Sequence, residues 1–184
     1  MSIVDELQSL ARDIDAVCRL TGSFTLRSGK IATEYFDKYL FEAQPGLLLR
    51  VAQAMVPLLP VEADLLGGLE LGGVPIATVV SQLTGTPTLF VRKQAKIYGT
   101  CRLAEGTDVN GRAVVLVEDV ITTGGAVRDA VRELRKVGAR IEVVVCAIDR
   151  SPLGQHPLRD AGIEVRSVLT RADLDRARQA VPGP

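Results

Sequence analysis

The segment from Val114 to Ala126 reads Val-Val-Leu-Val-Glu-Asp-Val-Ile-Thr-Thr-Gly-Gly-Ala, an apolar run that ends in two acids and continues into hydroxyls, glycines and a helical stretch. Where a buried parallel strand gives way to a helix, the first backbone N–H groups lack partners and the helix dipole adds partial positive charge, so the turn attracts an anion. Thr122, Thr123, Gly124, Gly125 and Ala126 would wrap a phosphate, entered through Val120 and Ile121. The two glycines permit positive φ angles and close backbone approach, and the two threonines add hydroxyl donors. Glu118 and Asp119 would repel a bare phosphate, but carboxylates accept hydrogen bonds from ribose 2′ and 3′ hydroxyls and can hold a hydrated divalent ion carried by a substrate. Acids and phosphate turn together describe a site for ribose 5-phosphate. The segment lacks the Gly-Lys-Ser/Thr ending of a nucleoside triphosphate loop and the spaced glycines of a dinucleotide fold. A turn with no ligand would leave two acids unpartnered at a buried strand end, which is costly.

The elements that must position this segment are legible in the hydrophobic pattern. Ile3, Leu7, Leu10, Ile14, Val17 and Leu20 fall at helical spacing, which predicts a helix over residues 3–20 with Ser2 as N-cap and Thr21-Gly22 as the stop. Short strands are expected at Phe24 to Leu26 and from Ile31 to Phe41, the latter rich in aromatics. From Pro45 onward, helices alternate with near-continuous apolar runs, the pattern of strands buried on both faces by crossover helices. Helices are expected from Pro45 to Leu58, through Ile76 to Val80, and from Ala126 to Val137. The expected strands run from Ala63 to Leu66, Thr88 to Val91, Ala113 to Val120, Ile141 to Ile148 and Val165 to Leu169. A glycine-broken segment, Gly67 to Gly73, and a polar loop from Arg92 to Asn110 lie between them. The fold class is α/β, in one domain. The tail after Ala180 is expected to be loose.

Composition narrows the function classes. The chain has 184 residues, 22 Lys plus Arg against 22 Asp plus Glu, and 47% apolar content. No bulk charge is available to hold nucleic acid or a membrane surface, so any anion site is local. No apolar run approaches the ~18 residues of a membrane span, and acidic Asp5 and Glu6 stand where a secretory signal would be basic, so a cytoplasmic location is expected. Cys18, Cys101 and Cys146 have no paired spacing for zinc or a disulfide, and no metal site of the protein's own is expected. The single histidine, His156, lies beside Pro157 in a turn-like stretch, which disfavours a histidine base.

Val114 to Ala126 resembles the motif by which type I phosphoribosyltransferases bind 5-phosphoribosyl diphosphate (PRPP). The resemblance implies a parallel sheet flanked by helices with a small N-terminal hood, here residues 1–44 over a core of 45–170. It also implies Mg²⁺ carried mainly by PRPP and pyrophosphate, and a PRPP contact by Glu118 through Ala126, with Asp119 also in the catalytic set. Three further segments are similar to orotate phosphoribosyltransferases. Phe24 to Lys30 followed by Tyr35-Phe36-Asp37 is similar to that family's hood, which would set Arg27 against PRPP and Tyr35 and Phe36 against the orotate ring. Gly68 to Pro75 resembles the loop facing pyrophosphate, although some members have a lysine where Gly72 stands. Val91 to Thr100 looks like the mobile catalytic loop, placing Arg92, Lys93, Lys96 and Tyr98 at the diphosphate, with Lys96 as the catalytic cation. Many relatives have histidine at the place of Tyr98. Asp149-Arg150 matches the site where the family's arginine meets the pyrimidine, and Arg150 with Thr122 would complete the base pocket, a fork suited to an anionic, carbonyl-rich base.

The reaction implied is orotate plus PRPP giving orotidine 5′-monophosphate and pyrophosphate in pyrimidine synthesis, by a homodimer with shared sites and no nucleic-acid or membrane partner. Two alternatives share the PRPP motif. A purine or other base phosphoribosyltransferase should differ at Arg27, Tyr35, Phe36 and Arg150. A PRPP-sensing regulator should carry a basic face or a DNA-binding domain.

Overall fold

The structure, a computed structural model, describes residues 2–25, 28–94, 103–152 and 158–179. Helix α1 spans Ile3–Cys18 and opens on a capping box in which the Ser2 hydroxyl accepts from Asp5 N–H while Asp5 accepts from Ser2 N–H. It ends earlier than its periodicity suggests. Arg19 already belongs to strand β1, Arg19–Thr25, which pairs antiparallel with β2, Ile31–Phe36, in a two-stranded ribbon. Tyr39 and Phe41 do not extend that second strand. After Asp37 the chain turns into a single helical turn, α2, Tyr39–Glu42, because Phe41 is wholly buried in the core and pulls the backbone off the ribbon.

Helix α3, Pro45–Met55, continues as a 3₁₀ turn at Val56–Leu58 and leads into β3, Leu65–Leu69. The strand runs through the glycines instead of stopping before them. A Cβ on Gly68 would lie 2.8 Å from the Gly73 carbonyl oxygen and 2.9 Å from Ala77 Cβ, so Gly68 serves close packing under the next helix. That helix is α4, Gly73–Thr84, followed by β4, Thr88–Val91, and a short β5, Ala104–Glu105. Strand β6 is Val114–Ile121, helix α5 Gly125–Lys136, strand β7 Val143–Asp149 and strand β8 Glu164–Thr170. A final helix, α6, Arg171–Gln179, had no clear sequence signal, since it buries only Leu174 and Ala177.

The main sheet has the order β5-β4-β3-β6-β7-β8 and is parallel except for β5, which lies antiparallel on β4. Its faces are covered separately. Leu66, Val115, Val117, Val143, Val145 and Ala147 pack with residues of α1, α3, α4 and α6. Leu65, Leu89, Val114, Leu116, Val144 and Cys146 pack with α5. Alternate residues of each strand thus enter opposite cores, which explains the continuous apolar runs. From β3 the chain moves outward to β4, then returns to the other side of β3 as β6 and moves outward again to β7. The gap between the ends of β3 and β6 is a topological switch point, where open α/β sheets bind ligands. Among the described residues no helix is long and apolar enough to cross a membrane.

Candidate active site

At this switch point β6 delivers the turn 122–124. Gly124 adopts φ 66° and precedes α5 with no side-chain cap, so the first N–H groups of the helix are left to a ligand. Only Gly124 uses positive φ; Gly125 is already in the helix. Thr122, Thr123 and Ala126 are exposed, Val120 is half-buried and Ile121 is buried. The Arg128 guanidinium approaches the Thr123 carbonyl at 3.4 Å.

The acids before the turn lie in the interior. Glu118 is 7% exposed and Asp119 has no accessible surface. Asp119 Oδ2 lies 2.6 Å from Lys38 Nζ, while Oδ1 accepts from Val120 N–H. Glu118 Oε1 accepts from Asp119 N–H at 3.1 Å. Burial pushes Asp119 upward, but bonds from Glu118 and Lys38 and the lysine charge outweigh it and hold the group below its ordinary value. Burial, with Asp119 beside it, drives Glu118 well above the carboxylate range. The two neighbouring acids are thus pushed in opposite directions, Glu118 upward by its burial and Asp119 downward by its pairing with Lys38.

A third acid joins them. Glu42, from α2, is buried, and its Oε1 has no hydrogen-bond partner of good geometry. Burial and then the Asp119 charge raise it to about 8. Gly72, at the N-terminus of α4, makes this meeting possible: a Cβ there would stand 1.8 Å from Asp119 Oδ2 and 2.5 Å from Glu42 Oε1. In the same loop the Glu70–Leu71 peptide is cis. Lys38 and Glu42 were not among the sequence candidates. Their signal was a lysine and a glutamate four apart in an otherwise apolar run, masked by reading that run as strand.

The two aromatic candidates separate. Phe36 faces inward, with the Arg150 guanidinium 5.0 Å from its ring centre. Tyr35, the adjacent strand residue, points to the opposite face and packs on Phe24 at 5.5 Å between ring centres. Arg150 is tied to turn 122–124 because its N–H donates to the Ile121 carbonyl at 2.8 Å, which sets it next to Thr122. Burial lowers its guanidinium from its ordinary value, with Arg171 and Arg19 adding to the effect. An anion stacked by Phe36 would relieve that cost.

On the other side, Arg92 pairs through Nε with Glu105 Oε1 at 3.3 Å, and Lys93 N–H donates to Glu70 Oε2 at 3.2 Å. The polar loop therefore leaves the sheet next to loop 70–73. Arg27, Lys96 and Tyr98 lie outside the described residues, as do Cys101 and His156. Cys18 and Cys146 are buried free thiols. Among the described residues no group of three or more His, Cys, Asp or Glu could hold a metal ion.

A family model for the phosphoribosyl transferase domain matches residues 53–161. The chain is 75% identical over 172 residues to an orotate phosphoribosyltransferase of a Nocardioides species, covering 94% of this chain and 96% of the relative. Its fold is similar to the crystal structure of the Mycobacterium tuberculosis orotate phosphoribosyltransferase with Fe(III) dicitrate, at TM-score 0.81 and 32% identity over 92% of this chain and 98% of the other. A crystal structure of the M. tuberculosis protein in complex with PRPP is similar at TM-score 0.75 and 28% identity, over 92% and 99%.

Proposed function

We infer that this chain, which belongs to the orotate phosphoribosyltransferase family, converts orotate and PRPP to orotidine 5′-monophosphate and pyrophosphate, a step of pyrimidine synthesis. The observation that carries the site assignment is the meeting, at adjacent strand ends, of an uncapped helix N-terminus, a buried Asp119 paired with Lys38 and the Phe36–Arg150 stack. They suit in turn the 5-phosphate, the ribose hydroxyls and the anionic base.

No protein nucleophile is required. An orotate ring nitrogen, as the anion, attacks C1′ while the C–O bond to pyrophosphate breaks and its electron pair leaves with the diphosphate. The sugar passes through an oxocarbenium-like state. Turn 122–126 and Asp119 fix the sugar, and Phe36, Thr122 and Arg150 fix the base, so positioning lowers the barrier. Arg92, Lys93, Lys96 and Tyr98, with Arg27 from the hood, offset charge on the diphosphate. The carboxylates of Glu118 and Asp119 are the hard oxygen donors that would face Mg²⁺ carried by the diphosphate, and the ion would supply further charge neutralisation there. The reading includes a hood over residues 1–44 and a core over 45–170, a cytoplasmic homodimer, and sites shared between subunits.

The assay that tests the reaction follows orotate absorbance with purified protein, Mg²⁺ and PRPP, against adenine, hypoxanthine and uracil. PRPP-dependent loss of orotate alone is the expected result; no consumption of any base, with PRPP still bound, would favour a sensor. Lys96→Ala is expected to lower kcat about tenfold or more, since each 1.4 kcal/mol of transition-state stabilisation is a decade in rate. Unchanged kinetics would remove Lys96 from that role. Mixing Lys96 and Asp119 variants should restore part of the activity if subunits share sites, and none if each site is self-contained. Arg150→Lys keeps the charge but loses the planar fork, and is expected to raise KM for orotate about tenfold with little change in KM for PRPP. Equal rises in both constants would place Arg150 outside the base pocket.

A further inference from the structure

Asp119 has no accessible surface, so a sugar hydroxyl cannot reach it while its present neighbours stay in place. Those neighbours differ in their freedom to move. Gly72 is backbone at a helix start, and Glu42 is buried on α2. Lys38, whose Nζ lies 2.6 Å from Asp119 Oδ2, keeps a third of its side-chain surface open to solvent and ends a flexible four-carbon stem. The loop opening α4 cannot bring a cation of its own to this point, because even a Cβ on Gly72 would stand 1.8 Å from Asp119 Oδ2. The cation at the junction of the acid and that loop comes from the hood instead.

We propose that Lys38 is an exchangeable counter-ion and a diphosphate-binding residue, which neutralises Asp119 in the free protein, is displaced by the ribose hydroxyls, and then pairs with diphosphate oxygens beside loop 70–73. The exchange trades an ion pair for neutral hydrogen bonds at Asp119 and gains an ion pair at the diphosphate. Hydroxyls donating to Asp119 replace what the ammonium gave it, and the released ammonium meets the most highly charged part of the substrate. It also orders binding, since a ligand without ribose hydroxyls must compete with Asp119 for Lys38. The proposal rests on the reading of Asp119 as the acid that holds the sugar.

Titration calorimetry with Mg²⁺-pyrophosphate and, separately, ribose 5-phosphate tests it on the full chain. Lys38→Met is expected to bind pyrophosphate about tenfold more weakly or worse, a charge-pair loss of the usual size. It should bind ribose 5-phosphate as tightly as before or more so, because the competitor for Asp119 is gone. Unchanged pyrophosphate affinity, or equal weakening of both ligands, would overturn the proposal. Should Lys38→Met fail to fold with Asp119 left unpaired, the double variant Lys38→Met with Asp119→Asn is compared with Asp119→Asn alone. Weaker pyrophosphate binding by the double variant supports the role, and equal binding overturns it. Ribose 5-phosphate affinity unaltered by Asp119→Asn would sink the sugar-site reading itself, an outcome distinct from failure of the Lys38 role.

Discussion

Replacing Asp119 with asparagine is expected to lower kcat/KM for PRPP about a hundredfold or more. A hydrogen bond to a charged acceptor is worth about 1.5–3 kcal/mol, Asp119 would accept two from the sugar, and each 1.4 kcal/mol is a decade in rate. The group is held ionised despite its burial, so asparagine removes a charge that is present at neutral pH. The substitution also leaves Lys38 without its counter-charge and changes the partner facing Glu42. Steady-state rates across PRPP concentrations, with the urea unfolding midpoint measured alongside, separate loss of contact from loss of fold. A well-folded variant with less than about a threefold change would exclude a direct sugar contact.

Gly73→Ala is expected to cost about 2–3 kcal/mol of stability, together with most of the activity. A Cβ at Gly73 would stand 2.2 Å from the Val117 carbonyl oxygen and 3.4 Å from Glu118 Cα. Both are backbone atoms of a central strand and cannot swing aside. Helix α4 would have to retreat from β6 just where Glu118 and Asp119 follow, so fold and site are strained together. Urea unfolding measures the first effect and turnover the second; an unchanged midpoint would mean that α4 can shift freely on the sheet.

The parts of the candidate site that were legible in the sequence are those carried by one continuous segment. Glu118 to Ala126 holds strand, acids, turn and helix start in order, and each has its own local chemical signature. Strand Thr88–Val91 and helix α4 were legible for a similar reason, since Leu89 and Val91 alternate into the core from the strand and one buried stripe writes a period into the helix. Partnerships across distance were not legible. Lys38 and Glu42 reach Asp119 from about 80 positions away, and nothing local to them marks the destination. The separation of Tyr35 from Phe36 follows from simple strand alternation once the strand is placed, whereas a resemblance groups them as a pair. Strand β3 was displaced in the sequence reading because its glycines looked like breakers. Gly68 is there for the close approach of α4, and Gly67 for tight packing against Leu116 and Val114 of the neighbouring strand.

The ribbon that carries Phe36 is also tied at its outer side. Glu34 accepts from Arg178 of α6 at 2.7 Å and from Arg19 at 3.2 Å, and Arg19 in turn grips Asp15 of α1 at 2.7 Å. Asp15 is buried, but Glu34 and Arg178 stand at the solvent boundary, where dissolved ions screen attraction over about 8 Å at physiological ionic strength. The hold of α6 on the ribbon therefore weakens as salt rises, while the apolar docking of Leu174 and Ala177 does not. Concentrated salt should therefore speed the exchange of the ribbon's amide hydrogens, those flanking Phe36 included, well before it disturbs the sheet beneath.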